Sequence, residues 1–119
     1  DLIEKAKANG NACSAVSCYE TVVLTENRTS GKEQIDRNRI VRVQTPQCYN
    51  YGLIKSLYEK ADKDNREDFV YANILAMNYG VEIYFSKGTN NNIKITTKDD
   101  IALFRALLYY INNAEGEEN

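Results

Sequence analysis

Short strand-forming runs alternate along this chain with segments whose apolar side chains recur at helical intervals, and that alternation restricts it to an α/β layer. Leu2–Ala8 reads as the end of a helix, closed by Asn9-Gly10, a pair that tolerates the left-handed backbone of a C-cap. Ala12–Ser17 is a small, apolar run that reads as a buried strand. Thr21–Thr25 and Ile40–Val43 have strand propensity. Between them lie a polar turn, Glu26–Lys32, and the highly charged run Glu33–Arg39. Together they predict a β-hairpin or arm of about twenty residues whose tip has little to bury.

Thr45-Pro46-Gln47 is expected to break the strand, because proline has no N–H to give a ladder. Tyr51–Ala61 places Leu53, Ile54, Leu57, Tyr58 and Ala61 on one helical face, and Asp62–Asn65 is a polar connection. A second helix is expected over Phe69–Tyr79, with Phe69, Ala72, Asn73, Ala76 and Met77 on one side and Gly80 at its end. Val81–Phe85 then reads as a strand, Gly88–Asn91 as a turn and Ile93-Lys94-Ile95 as a short strand. Thr97-Lys98-Asp99-Asp100 resembles a capping box and opens a last helix to about Ile111. Residues 1–113 are expected to form the folded part, with the arm at about 20–41 and a flexible acidic tail at 114–119. The strands are few for a complete doubly wound sheet, and the chain opens without Met inside a helical pattern; both features are expected of a fragment.

Composition narrows the chemistry. The net charge of the 119 residues is −2, and no Lys/Arg run exceeds a pair, which argues against a dedicated nucleic-acid binder. No signal peptide or membrane span is legible: the apolar stretch Ile101–Leu108 is short and interrupted by Arg105. Cys13, Cys18 and Cys48 form no CxxC pair and read as reduced thiols of a cytoplasmic protein. Histidine is absent, which removes the usual zinc ligand sets and any Ser/His or Cys/His nucleophile pair within this chain.

The remaining candidates are cations and hydroxyls. Lys94 lies in a short strand before a helix start, where open α/β sheets bind ligands; it either offers a point charge to a phosphate or points to solvent. Arg37 lies on the returning limb of the hairpin, and its planar fork suits phosphate; an exposed, solubilising role fits it equally. Thr21 and Thr45 are hydroxyl donors or ordinary strand residues, and Asp68 is a helix-start charge or a polar site group. The six glycines are scattered and form neither GxGxxG nor a Walker pattern.

Four stretches occur in a telling order: Tyr19-Glu20-Thr21-Val22, Asp36-Arg37-Asn38-Arg39-Ile40, Val43-Gln44-Thr45-Pro46-Gln47, and Asn92-Ile93-Lys94-Ile95-Thr96-Thr97-Lys98-Asp99-Asp100-Ile101-Ala102-Leu103. Jointly they resemble the 2-C-methyl-D-erythritol 4-phosphate cytidylyltransferase family, including its relatives that use ribitol 5-phosphate. The likeness covers nearly the whole chain, from Leu2 to about Leu108.

The resemblance implies the C-terminal part of a Rossmann-like nucleotidyltransferase domain with a projecting β-arm that hooks around a second subunit of a homodimer. It implies that Arg37 on the arm reaches the partner's active site and holds the acceptor phosphate there, that Lys94 in the NIK motif positions the same substrate from the core, and that Thr21, Thr45 and Asp68 line the substrate site. The implied partners are CTP, a sugar-alcohol phosphate and a second copy, with neither nucleic acid nor membrane. Magnesium and the CTP-binding loop belong to the family's N-terminal half, expected upstream of Asp1, so this chain alone is expected to be inactive. A non-catalytic dimerisation or binding module is the alternative. One departure stands out: where many members open a helix with Thr-Asp, this chain has Glu67-Asp68, which bears on the acceptor.

Overall fold

The computed structural model describes residues 1–67 and 70–114, which fall into two compact units, one ending at Gly88 and one beginning at Thr89. In the first unit, α1 (Leu2–Asn9) stops where expected. Gly10 adopts φ 86°, and its N–H reaches the Ala6 carbonyl at 2.8 Å. Only a residue without a Cβ takes that left-handed turn at little cost.

The turn feeds β1 (Asn11–Ser17), the central strand of a three-stranded sheet. On one side β1 pairs antiparallel with β4 (Val41–Tyr49), on the other parallel with β5 (Phe85–Lys87). A central strand is covered on both faces, which is why its first four residues are small and buried. Cys13 joins Leu57, Ala61, Leu75, Ala76 and Ile83 in the core. Leu57 and Ala61 come from α2 (Tyr51–Lys63), whose N-terminus is capped by the Asn50 side chain accepting from the Leu53 amide. Leu75 and Ala76 come from α3 (Ala72–Asn78).

Three expectations need correction here. First, β4 does not stop at Pro46. Cys13 pairs with Gln47 and Ser14 with Gln44, so Thr45 and Pro46 bulge out of register and the strand continues to Tyr49. A proline in a bulge on an outer strand owes no N–H to the ladder. Second, α3 is shorter than Phe69–Tyr79: Asn73 and Ala76 are buried as expected, together with Leu75, while Met77 is exposed. Phe69 lies outside the described residues. Third, β5 begins only at Phe85. The buried Asn11 side chain takes over residues 82–84, donating Nδ2 to the Glu82 carbonyl at 2.9 Å and accepting from the Tyr84 amide at 3.2 Å. A side-chain amide has replaced a stretch of backbone ladder.

The hairpin forms, but its return strand lies within the charged run that follows the turn, whereas Val41–Val43, expected to resume the strand after that run, pairs with Ala15–Ser17 of β1 instead. β2 (Val22–Leu24) and β3 (Glu33–Ile35) pair only with each other, as a separate two-stranded sheet. At its tip the Asn27 carboxamide oxygen accepts from the amides of Thr29 and Ser30, a side-chain turn that fixes the reversal. Val23 and Leu24 remain exposed.

In the second unit, residues 93–95 do not form a strand. Strand propensity needs a neighbouring edge to be realised, and among the described residues none pairs with this run. The following helix, α4 (Lys98–Ala114), begins with the expected capping box, with aspartate in place of the usual Glu or Gln. Asp100 Oδ2 accepts from the amides of Thr96 (2.9 Å) and Thr97 (2.6 Å), and the Asp100 amide donates to Thr97 Oγ1 at 3.3 Å.

Candidate acceptor-phosphate site at the arm root

β1 and β5 run parallel, and in open α/β sheets ligands gather beyond the carboxyl ends of such strands. β1 ends at Ser17 and passes straight into Cys18–Thr21, the first limb of the arm. The second limb returns through Asp36. The Asp36 carboxylate accepts from the Asn38 amide at 3.0 Å and caps a single 3-10 turn, Arg37–Arg39, which closes with the Ile40 amide on the Arg37 carbonyl at 3.2 Å. That turn directs Arg37 across to the other limb. Its Nη1 donates to the Tyr19 carbonyl at 3.1 Å.

The receiving limb is itself held. Glu20 Oε2 accepts from the Tyr19 amide at 3.1 Å and from the Cys18 thiol at 3.4 Å. Its own backbone N–H, the Cys18 thiol and the charge of Arg42 together hold the Glu20 carboxyl below the usual glutamate range. Arg37 is exposed, and with one N–H committed to Tyr19 its planar fork still presents donors to an anion.

Of the residues singled out in the sequence, Thr21 and Arg37 both lie at this root: Thr21 precedes Val22 on one limb, and Arg37 follows its partner Ile35 by two residues on the other, where it bonds to Tyr19. Thr45 is exposed in the β4 bulge, in the body of the sheet. Lys94 is exposed in the irregular run before α4, in the second unit. Asp68 lies outside the described residues. Among the described residues no three Cys, Asp or Glu side chains converge as metal ligands. No described helix is long and apolar enough to cross a membrane.

Sequence reasoning passed over Glu20 and Tyr19, although both stand beside Thr21 in a quoted motif. It also passed over Gly88. The Gly88 amide donates to the Ala15 carbonyl at 2.9 Å, and an added Cβ would lie 2.9 Å from that oxygen and run into the Gln44 side chain. Without a Cβ at this position, the Gln44 side chain of the Val-Gln-Thr-Pro-Gln motif can approach the backbone just past β5.

The family model for 2-C-methyl-D-erythritol 4-phosphate cytidylyltransferase matches residues 1–110. The chain belongs to that family. Among curated relatives, ribitol-5-phosphate cytidylyltransferase of Lacticaseibacillus paracasei is 37% identical over 110 residues, covering 91% of this chain and 47% of the relative. The 2-C-methyl-D-erythritol 4-phosphate cytidylyltransferase of Clostridium novyi is 34% identical over 108 residues, covering 91% and 46%. The cytidylyltransferase crystal structure from Francisella tularensis superposes with a TM-score of 0.77 at 25% identity, covering 90% of this chain and 50% of that one. The Thermus thermophilus enzyme gives 0.77 at 24%, covering 91% and 52%, and supports the fold. The chain spans about half the length of the curated relatives it matches. The α/β architecture expected from the strand and helix alternation is therefore that of the cytidylyltransferase family.

Proposed function

We propose that this chain supplies the acceptor-phosphate grip of a CTP-dependent cytidylyltransferase acting on a sugar-alcohol phosphate. The observation that carries the reading is the arm-root turn, which holds the exposed Arg37 guanidinium on the Tyr19 carbonyl, beyond the carboxyl end of β1. In the reaction an oxygen of the acceptor phosphate attacks the α-phosphorus of CTP. A new P–O bond forms, the bond to the β-phosphate bridging oxygen breaks, and pyrophosphate leaves with that electron pair.

The nucleophile is already an anion, so the task is to bring two anions together in line. Fixed cations serve that purpose better than any proton transfer. Arg37 and Lys94 take the acceptor phosphate, Thr21 and Thr45 offer hydroxyls to the acceptor, and Asp68 contributes a polar group to the same site. CTP and magnesium are assigned to the half of the protein corresponding to what the relatives carry beyond this match. Without that half the chain is expected to be inactive, and the whole enzyme to work in the cytoplasm.

The arm is read as the dimer contact. It is a two-stranded sheet with Val23 and Leu24 exposed, which a second copy would cover.

The leading acceptor is 2-C-methyl-D-erythritol 4-phosphate, after the family model. A second reading, ribitol 5-phosphate, is favoured by the 37% identity to the Lacticaseibacillus protein. Pyrophosphate release by the full-length protein, measured with CTP and each acceptor in turn, decides between them. Release with neither acceptor overturns the enzymatic reading and leaves a binding module.

A further inference from the structure

We infer that Glu20 is the positioning residue that aims Arg37, by locking the Tyr19 peptide that Arg37 holds. The inference rests on the reading of Arg37 as the acceptor-phosphate grip.

The direction of the Tyr19 carbonyl depends on the φ and ψ of Tyr19. Glu20 spans both of these angles: its side chain, anchored on the following Cα, reaches back to accept the Tyr19 amide at 3.1 Å. The small ring so closed leaves Tyr19 little freedom, and the Cys18 thiol at 3.4 Å ties the same carboxylate oxygen one residue further back. The charge of Arg42, on β4 where it pairs with Val16 of β1, favours the ionised form of this carboxylate. The Tyr19 carbonyl is thus presented from a fixed place, and the 3.1 Å bond from Arg37 Nη1 orients a long, exposed side chain that would otherwise sample many rotamers.

Two effects of the Glu20 charge oppose each other. A carboxylate near a phosphate site repels the phosphate, whereas a fixed Arg37 attracts it. Arg42 partly neutralises the carboxylate, and exposed charges at this root are screened by solvent, so ordering of Arg37 dominates.

The test uses the full-length protein with Glu20→Gln, Glu20→Asp, Glu20→Ala and Arg37→Ala. Each variant is assayed for pyrophosphate release against acceptor concentration, for thermal midpoint, and for the rate at which Cys18 is alkylated in the folded protein. The expected result for Glu20→Ala is a KM for the acceptor raised about tenfold, with kcat within about twofold and the KM for CTP unchanged; Glu20→Gln, whose carboxamide oxygen can still accept from the Tyr19 amide, should lose less. In Glu20→Ala, Cys18 alkylation should quicken, because the thiol loses its side-chain acceptor and keeps only the longer bond to the Glu20 carbonyl at 3.8 Å. Glu20→Asp keeps the carboxylate and should recover part of the loss.

A lower thermal midpoint with an unchanged acceptor KM would make Glu20 merely structural and overturn the inference. A KM that falls would show that repulsion, not aiming, is its effect, and would overturn it too. If Arg37→Ala keeps a normal acceptor KM, the grip itself is wrong and the inference goes with it. If Arg37→Ala is impaired while all three Glu20 variants bind acceptor normally, only the inference fails.

Discussion

Gly88 donates its backbone N–H to the carbonyl of Ala15 at 2.9 Å, one residue past Lys87, the last residue of β5 to pair with β1. This contact extends the parallel ladder into the turn that leaves the first unit. A Cβ at Gly88 would press on the Ala15 oxygen and the Gln44 side chain together. Backbone cannot step aside as a flexible side chain can. Gly88→Ala is therefore expected to destabilise the first unit by about 1–3 kcal/mol. The shift of the urea midpoint measures it, and an unchanged midpoint refutes the close approach.

Arg37→Ala and Lys94→Ala in the full-length protein should each depress pyrophosphate release while leaving circular dichroism unchanged. Loss of one hydrogen bond to a charged group is worth about 1.5–3 kcal/mol, which corresponds to roughly ten- to a hundredfold. Arg37→Lys should fall between wild type and alanine, because lysine keeps the charge and loses the planar fork. Near-normal turnover in either alanine variant removes that residue from the site.

Asn11 offers a sharper stability test. Its side chain is almost wholly buried and both ends of its amide are used, one donating to Glu82 and one accepting from Tyr84. Asn11→Ala leaves the part-buried Glu82 carbonyl and Tyr84 N–H without their partner, at a cost of about 1–3 kcal/mol in total. Asn11→Asp is isosteric yet cannot donate when ionised, so it should be destabilised at neutral pH and partly recover on acidification, when its protonated oxygen donates again. Hydrogen exchange at Tyr84 follows the loss directly.

Asp100 gives a pH prediction with a definite sign. The amides of Thr96 and Thr97, and then their hydroxyls, favour its charged form and lower its pKa from 3.8 to about 2. A folded-state pKa below the unfolded one means that the stabilisation is fully present above 3.8 and fades as pH falls through about 2. The first turn of α4 should therefore fray across that window. Asp100→Asn should remove the fraying step while weakening the cap at neutral pH. Side-chain carboxyl shifts and Thr97 amide exchange report the transition; a midpoint at or above 3.8 contradicts the cap.

Much of the architecture was legible because local rules and tertiary packing agree there. Gly10 ended α1, small residues marked the buried centre of the sheet, and Thr97 with Asp100 marked the start of α4. The misreadings arose where a distant partner overrode a local rule. Pro46 was accommodated by two residues leaving the register, and the Glu82 carbonyl and Tyr84 amide were drawn into side-chain bonds with Asn11, leaving a backbone bond from Cys13 to the Tyr84 carbonyl. Ile93–Ile95 had the propensity of a strand but no described edge to join. At the site, Thr21 and Arg37 became conspicuous only through the ordered motifs around them. The Tyr19 carbonyl was invisible because every residue has one, and only the fold says which is aimed at a guanidinium.

Ser17 and Val41 face each other on the last rung of the β1–β4 ladder, and the two limbs of the arm depart from that rung. The hairpin is in this sense a boom stepped into the sheet, and its bearing is inherited from the twist of the strands beneath it. A force applied at the tip by a docking surface is delivered to both strands at once, along their length, where a ladder resists as a whole. Past that rung, the bond between Arg37 and Tyr19 is a stay between the limbs. Whatever draws Arg37 away from Tyr19 also slackens the rigging of the arm.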